Sequence, residues 1–183
     1  MKKVFNIKIG KPIGNLYRKN HVLVLIQLDN GNFIMGKKLG FYPEHIARFV
    51  GGGVKENESS LEAVRREVEE ELKIEVDKGK FVHLIEVTTN AVTEEGKMFM
   101  KTNVYSIILD KDTKLIASDD LTGIEEFTYD QLNQLVLDMQ SLSGTFITEK
   151  FTFDWKDWGM IYGPIHEFSM KEFIKLQLFL KNT

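Results

Sequence analysis

The stretch "GGGVKENESSLEAVRREVEEEL", Gly51–Leu72, decides the reading of the whole chain. Three glycines lead into a segment that starts as a helix should. Ser59 with Glu62 three residues on is a capping-box pattern, and Leu61, Val64, Val68 and Leu72 form one apolar stripe at helical spacing. The second half then crowds together Glu67, Glu69, Glu70 and Glu71. Like charges three or four residues apart repel by about a few tenths of a kcal/mol per pair, and the helix macrodipole disfavours anions near a C-terminal end.

Helical geometry sorts these carboxylates. With Glu67 at zero and about 100° per residue, Glu70 falls near −60°, Glu71 near +40° and the apolar stripe near +105°. Glu67, Glu70 and Glu71 therefore share a face at the edge of the buried stripe, while Glu62 and Glu69 point to solvent. A solvated acidic face is the simplest reading of a charge run. Convergence at a half-buried edge favours a bound divalent cation instead. Oxygen-only ligation suits Mg²⁺ or Mn²⁺, and Mg²⁺ commonly completes its shell with waters and substrate phosphates. The glycines ahead of the helix let backbone approach such a ligand closely.

Around this helix the chain of 183 residues reads as one domain, residues 1–183, with an N-terminal extension or strand over 1–20 and a C-terminal elaboration over 145–183. A hydrophobic fraction of 43% and a charged fraction of 28% are those of a globular chain with a sizeable core. The net charge of −3, spread along the sequence, carries no footprint for duplex nucleic acid. No apolar run is long enough for a membrane span, and the N-terminus lacks a signal peptide's apolar region. Cysteine is absent, which removes disulfides and thiolate metal sites, and the expected location is cytoplasmic.

"HVLVLIQL" (21–28) reads as a buried strand, "DNGN" (29–32) as a hairpin turn and "FIMGKK" as the returning strand. A loop over 39–47 contains Pro43, and "RFV" reads as a short strand entering the glycines. Strands are expected over 80–90 and 98–109, joined by "AVTEEGK", then a short strand over 125–129 and a helix near 130–139. The tail ends in an amphipathic helix near 168–180. Strands flanking a central helix, with helices late in the chain, indicate an α/β or α+β sandwich.

These residues resemble the Nudix hydrolases, whose box reads G-x5-E-x7-R-E-U-x-E-E-x-G-U with U aliphatic. Gly52 opens the box, Glu58 follows, and then come Arg66, Glu67, Val68, Glu69, Glu70, Glu71, Leu72, Lys73 and Ile74. Every fixed position matches except Lys73, where the family has glycine. Val50 stands where many members have proline, and a third glycine, Gly53, follows the pair. The order of elements extends the likeness over about residues 21–140.

The resemblance implies a Nudix fold: a mixed β-sheet sandwiched between helices, here with a C-terminal helical elaboration. It implies Mg²⁺-dependent (or Mn²⁺-dependent) hydrolysis of a pyrophosphate bond in a nucleoside di- or triphosphate derivative. Glu67, Glu70 and Glu71 take the part of metal ligands, with the Gly51 carbonyl added. Arg66 orients those glutamates, Glu58 pairs with Arg66, and Glu70 is the preferred base. In some members an acidic residue outside the box is the base, for which Asp119, Asp120 and Glu125 are the candidates. The alternative is a Nudix-fold protein that binds a nucleotide without hydrolysing it.

Arg48, Lys37 and Lys38 are candidates for substrate phosphates, or are simply exposed cations on a hairpin. Phe151, Phe153, Trp155 and Trp158 read as local core, with base stacking or a homodimer interface as the functional alternatives. His21, His45, His83 and His166 show no metal-ligand spacing.

Overall fold

The computed structural model describes residues 1–14, 17–149 and 152–182. Its centre is a six-stranded mixed sheet in the order β1-β4-β5-β2-β3-β6, with β1 at Lys2–Lys8, β2 at Asn20–Leu28, β3 at Phe33–Lys37, β4 at Val82–Thr93, β5 at Gly96–Leu109 and β6 at Gly123–Phe127. Helix α1 is Ser60–Leu72, α2 is Tyr129–Gln140, a short hairpin pairs β7 (Thr145–Ile147) with β8 (Thr152–Asp154), and α3 is Trp155–Lys181.

The run "HVLVLIQL" is apolar without alternation because β2 is buried on both faces. Val22, Val24 and Ile26 pack with Val64, Val68 and Leu72 of α1, whereas Leu23 and Leu25 pack with residues of α2 and α3. One helix covers one side of the sheet and two cover the other, which is the expected sandwich. "DNGN" turns as expected, with Gly31 at φ +94° and the Gly31 amide donating to the Leu28 carbonyl. Among the described residues, no helix is long and apolar enough to cross a membrane.

Several boundaries differ from the sequence reading. The strands expected to end at 90 and begin at 98 continue to Thr93 and from Gly96, so only Glu94 and Glu95 form the tip. "RFV" contributes isolated bridges, Arg48 to Gly36 and Val50 to Val24, rather than a strand. The short strand near 125–129 lies two residues earlier, at Gly123–Phe127. The N-terminal segment joins the sheet as an edge strand parallel to β4, and the Asp157 carboxylate accepts the amides of Gly10 and Lys11 at 3.0 and 3.1 Å.

The largest correction is α3, which begins at Trp155 rather than near 168 and runs through Pro164. Its first half is buried nearly all round, so the polar face that marks a surface helix is missing there. Gly159 and Gly163 bring it against α2: a Cβ on Gly159 would stand 1.9 Å from the Met139 carbonyl oxygen. Phe153, Trp155 and Trp158 are core residues on this side, and Phe151 lies outside the described residues.

Lys73 caps α1 in the left-handed conformation, φ 56° and ψ 37°, its amide donating to the Glu69 carbonyl. A Cβ at such a position costs about 1–2 kcal/mol, part of which is returned by the stiffer unfolded chain of a non-glycine residue. Lys73→Gly is expected to stabilise the protein by about 1 kcal/mol, read from the midpoint of urea unfolding.

Candidate active site

The acidic face of α1 is organised by a single guanidinium. Arg66 Nε donates to Glu58 Oε1 at 2.8 Å and Nη2 to Glu58 Oε2 at 2.9 Å, a two-pronged grip. Nη1 donates to Glu67 Oε1 at 2.7 Å and Glu70 Oε2 at 2.9 Å, and Nη2 also reaches the Gly53 carbonyl at 2.9 Å. The structure thus brings together Glu58, Arg66, Glu67, Glu70 and the glycine loop. These bonds hold the Glu58 carboxyl below the usual carboxylate range, the Arg66 contact being the main cause. They also raise the pKa of Arg66, Glu58 first among the causes.

Glu71 lies deeper, 1% exposed against 40% for the Glu70 side chain. Its Oε2 accepts the Gly51 amide at 3.0 Å, and its Oε1 accepts from Arg48 Nη2 at 3.4 Å. Gly51 can follow this path because its φ is +143° and a Cβ there would meet the Val22 carbonyl oxygen at 2.2 Å. A Cβ on Gly52 would instead meet a side chain, standing 2.6 Å from both Glu67 oxygens and displacing that carboxylate. The carbonyls of Gly52 and Val50 accept from Val22 and Val24 at 2.9 and 2.8 Å, which seats the loop on β2.

Beside this face opens a cavity of about 820 Å³, in the range of small-molecule sites. Glu67, Glu70, Arg66 and the three glycines form one wall, and Arg48 and Lys38 belong to the lining. So do Asp119 and Asp120, because the amides of Ile116 and Ser118 bond the last carbonyls of α1, at Leu72 and Glu71, and carry that loop across. Asp120 is held by Lys38 at 2.8 Å. Glu125 is not in the lining: it sits on β6 opposite Met35, with its carboxylate 3.0 Å from Lys37 Nζ.

The sequence reading missed the far wall. Phe41, Tyr42, Phe146 and Tyr162 bring aromatic surface from the loop after β3, from β7 and from α3, with Phe41 and Phe146 ring centres 4.8 Å apart. Arg18, Lys55, His21, Thr148 and Glu149 complete the lining. His166, which had no evident role, is buried under Phe49: its Nε2 accepts the Phe49 amide at 3.1 Å and its Nδ1 pairs with the Tyr162 carbonyl at 2.8 Å. No periodicity marks these positions, because they come from loops and from one helix packed from the distant C-terminus.

A model of the NUDIX domain matches residues 17–149, and the chain belongs to the NUDIX domain family. Among solved structures it is similar to a MutT/nudix family protein from Enterococcus faecalis, at 17% identity over 79% of this chain and 53% of that one, with a TM-score of 0.51. It is also similar to the E. coli dihydroneopterin triphosphate pyrophosphohydrolase, at 16% identity over 65% and 84% of the two chains and a TM-score of 0.51. A third likeness is to the NUDIX domain of Shewanella oneidensis NrtR complexed with ADP ribose, at 15% identity over 68% and 81%, TM-score 0.51. These likenesses are of fold, and the chain spans about half the length of the E. faecalis protein. Comparison with curated proteins gives no match.

Among the described residues, no three carboxylate or imidazole groups are already gathered to hold a metal. Arg66 links Glu67 to Glu70, and Glu71 is turned to the Gly51 amide. The donor set nevertheless fits a hard divalent cation, being all oxygen and short of compensating charge. Burial raises the Glu67 carboxyl, and burial pushes Glu71 up to about 7 in spite of the Arg48 charge and the Gly51 amide.

The sign of this shift has a measurable consequence. Between pH 4.5, the ordinary glutamate value, and about 7, the folded protein keeps a proton on Glu71 that the unfolded chain has lost. Ionisation of Glu71 therefore lowers stability as pH rises through that window, with the loss complete above it. Buried His21 and His166, whose pKa values are lowered, act in the opposite sense, so a difference is needed. In metal-free buffer, Glu71→Gln is expected to gain stability relative to wild type on going from pH 4.5 to pH 8, measured by urea unfolding at both.

Proposed function

We propose that the chain is a divalent-metal-dependent hydrolase that cleaves a pyrophosphate bond in a nucleoside di- or triphosphate derivative, releasing a nucleoside monophosphate-type product. The observation that carries this reading is the five-bond lattice about Arg66, which fixes Glu67 and Glu70 on the wall of a cavity that also presents Arg18, Lys38, Arg48 and Lys55. Glu67, Glu70 and Glu71, with the Gly51 carbonyl, would hold Mg²⁺ or Mn²⁺. Such an ion supplies charge neutralisation for the phosphates and lowers the pKa of a water.

The chain's own groups do the rest. Arg48 and Lys38 receive the phosphate oxygens and set the phosphorus in line with the attacking water. Glu70, half exposed at the cavity wall, takes the proton as the new O–P bond forms and the bridging O–P bond breaks. Glu58 and Arg66 keep the glutamates from relaxing away from that arrangement. The aromatic wall takes the base, and the active species lies in the cytoplasm.

A second reading keeps nucleotide binding and drops turnover; a NUDIX domain of similar fold is complexed with ADP ribose. The two separate on one assay. Phosphate or nucleoside monophosphate release from a panel of nucleotide derivatives with Mg²⁺ is expected, and Glu70→Gln should lower kcat by about 10²–10⁴-fold, the usual worth of a general base, while ligand binding persists. A wild-type protein that binds a nucleotide tightly and turns over none of the panel supports the second reading and contradicts the first.

A further inference from the structure

Two residues of the cavity lining each carry a nitrogen that the protein does not satisfy. His21 Nδ1 and Arg48 Nε are buried and make no hydrogen bond, yet both residues line the cavity. His21 is 2% exposed and Arg48 9% exposed. Buried polar atoms almost always have a partner, and an unmet one is costly. The other two unmet atoms among the described residues, the hydroxyls of Thr89 and Thr102, are not in the lining.

Both residues are held in place. His21 lies on β2, bridged to Gly53 on one side and in register with Thr102 on the other, its ring edge-on to Tyr162 at 5.9 Å. Arg48 is bridged to Gly36 and uses Nη2 for Glu71. The charges acting on His21 are those of Arg48 and Arg18, together with the neighbouring His166. Burial and these cations lower its pKa to about 3, so the ring is neutral and one of its nitrogens is a donor. A neutral donor beside two guanidinium groups is suited to an anionic oxygen, and the guanidinium charges disfavour a metal cation there.

We propose that His21 and Arg48 form an anion subsite in the cavity, with His21 Nδ1–H and Arg48 Nε–H donating to a non-bridging oxygen of a phosphoryl group. The assignment of that group to a substrate rests on the proposed function, whereas the subsite itself binds phosphoryl oxygen with or without turnover. Arg48 then serves two partners at once, the phosphoryl group through Nε and Glu71 through Nη2. Occupancy of the subsite would thereby be felt at the deepest carboxylate of the acidic face.

The test is calorimetric titration of inorganic pyrophosphate into the full chain in metal-free buffer, beside melting temperatures of the same samples. His21→Phe keeps an aromatic ring against Tyr162 and removes the unmet nitrogen. It is expected to weaken pyrophosphate binding by about tenfold or more, the worth of a hydrogen bond to a charged group, with an unchanged or higher Tm. His21→Asn carries an amide donor near the Nδ1 position and should restore most of the affinity. Arg48→Lys keeps the charge but lacks Nε, and should lose affinity to a similar extent, which keeps the proposal testable if His21→Phe does not fold. The proposal is overturned if the wild type does not bind pyrophosphate, if His21→Phe binds it as tightly as wild type, or if His21→Asn keeps its Tm yet loses as much affinity as His21→Phe does. Loss of turnover on the nucleotide panel, with this binding pattern intact, counts against the hydrolase reading alone.

Discussion

The structure depends on how one guanidinium is shared. Arg66 distributes its donors over Glu58, Glu67, Glu70 and the Gly53 carbonyl, so the loop before α1 and the helix itself are fixed to one planar group. Arginine suits this place because its donors lie in a rigid fork, whereas a lysine would offer a point charge. The sharing leaves a deficit: Arg66, with Lys55 3.7 Å from Glu70, faces three carboxylates, and Glu71 below them has Arg48 at 3.4 Å and the Gly51 amide. Burial raises the carboxyls of Glu67 and Glu71 in spite of the neighbouring arginines, and a divalent ion is a species that would favour their charged forms.

The rest of the fold keeps the glycine loop pressed against this face. β2 holds it by ladder bonds to Val50 and Gly52, and α3 holds it through His166 and the Phe49 amide. The stacked pair of Phe49 and His166, with ring centres 4.2 Å apart, ties the C-terminal helix to the residues just before the box. The end of α1 positions the loop bearing Asp119 and Asp120 through its terminal carbonyls. Elements far apart in sequence therefore converge on a short run of backbone at residues 48–53.

Local physics made the centre of this arrangement legible. The capping box, the apolar stripe and the division of glutamates into solvated and inward sets follow from spacing along one helix, and Glu62 and Glu69 are exposed while Glu67 and Glu71 are buried. The turn at 29–32 and the doubly buried β2 were legible for the same reason. What the sequence hid was non-local. The first half of α3 has no polar face to give it a period, and the β7–β8 hairpin is only three residues long on each side. His21, Tyr162 and Phe146 acquire their place in the cavity only when β2, α3 and β7 are brought together. Glu125, a plausible acid by position in the chain, is turned to Lys37 by its register on β6.

The central claim is that the inward carboxylates of α1 exist to hold a divalent cation. It is tested most directly by titrating Mn²⁺ into the metal-free protein and following free Mn²⁺ by electron paramagnetic resonance, for the wild type and for Glu67→Gln. The account predicts saturable binding to the wild type that weakens in Glu67→Gln by more than the roughly tenfold that even an outer-shell partner costs. Binding of equal strength in both proteins, or none in the wild type at millimolar Mn²⁺, would contradict it.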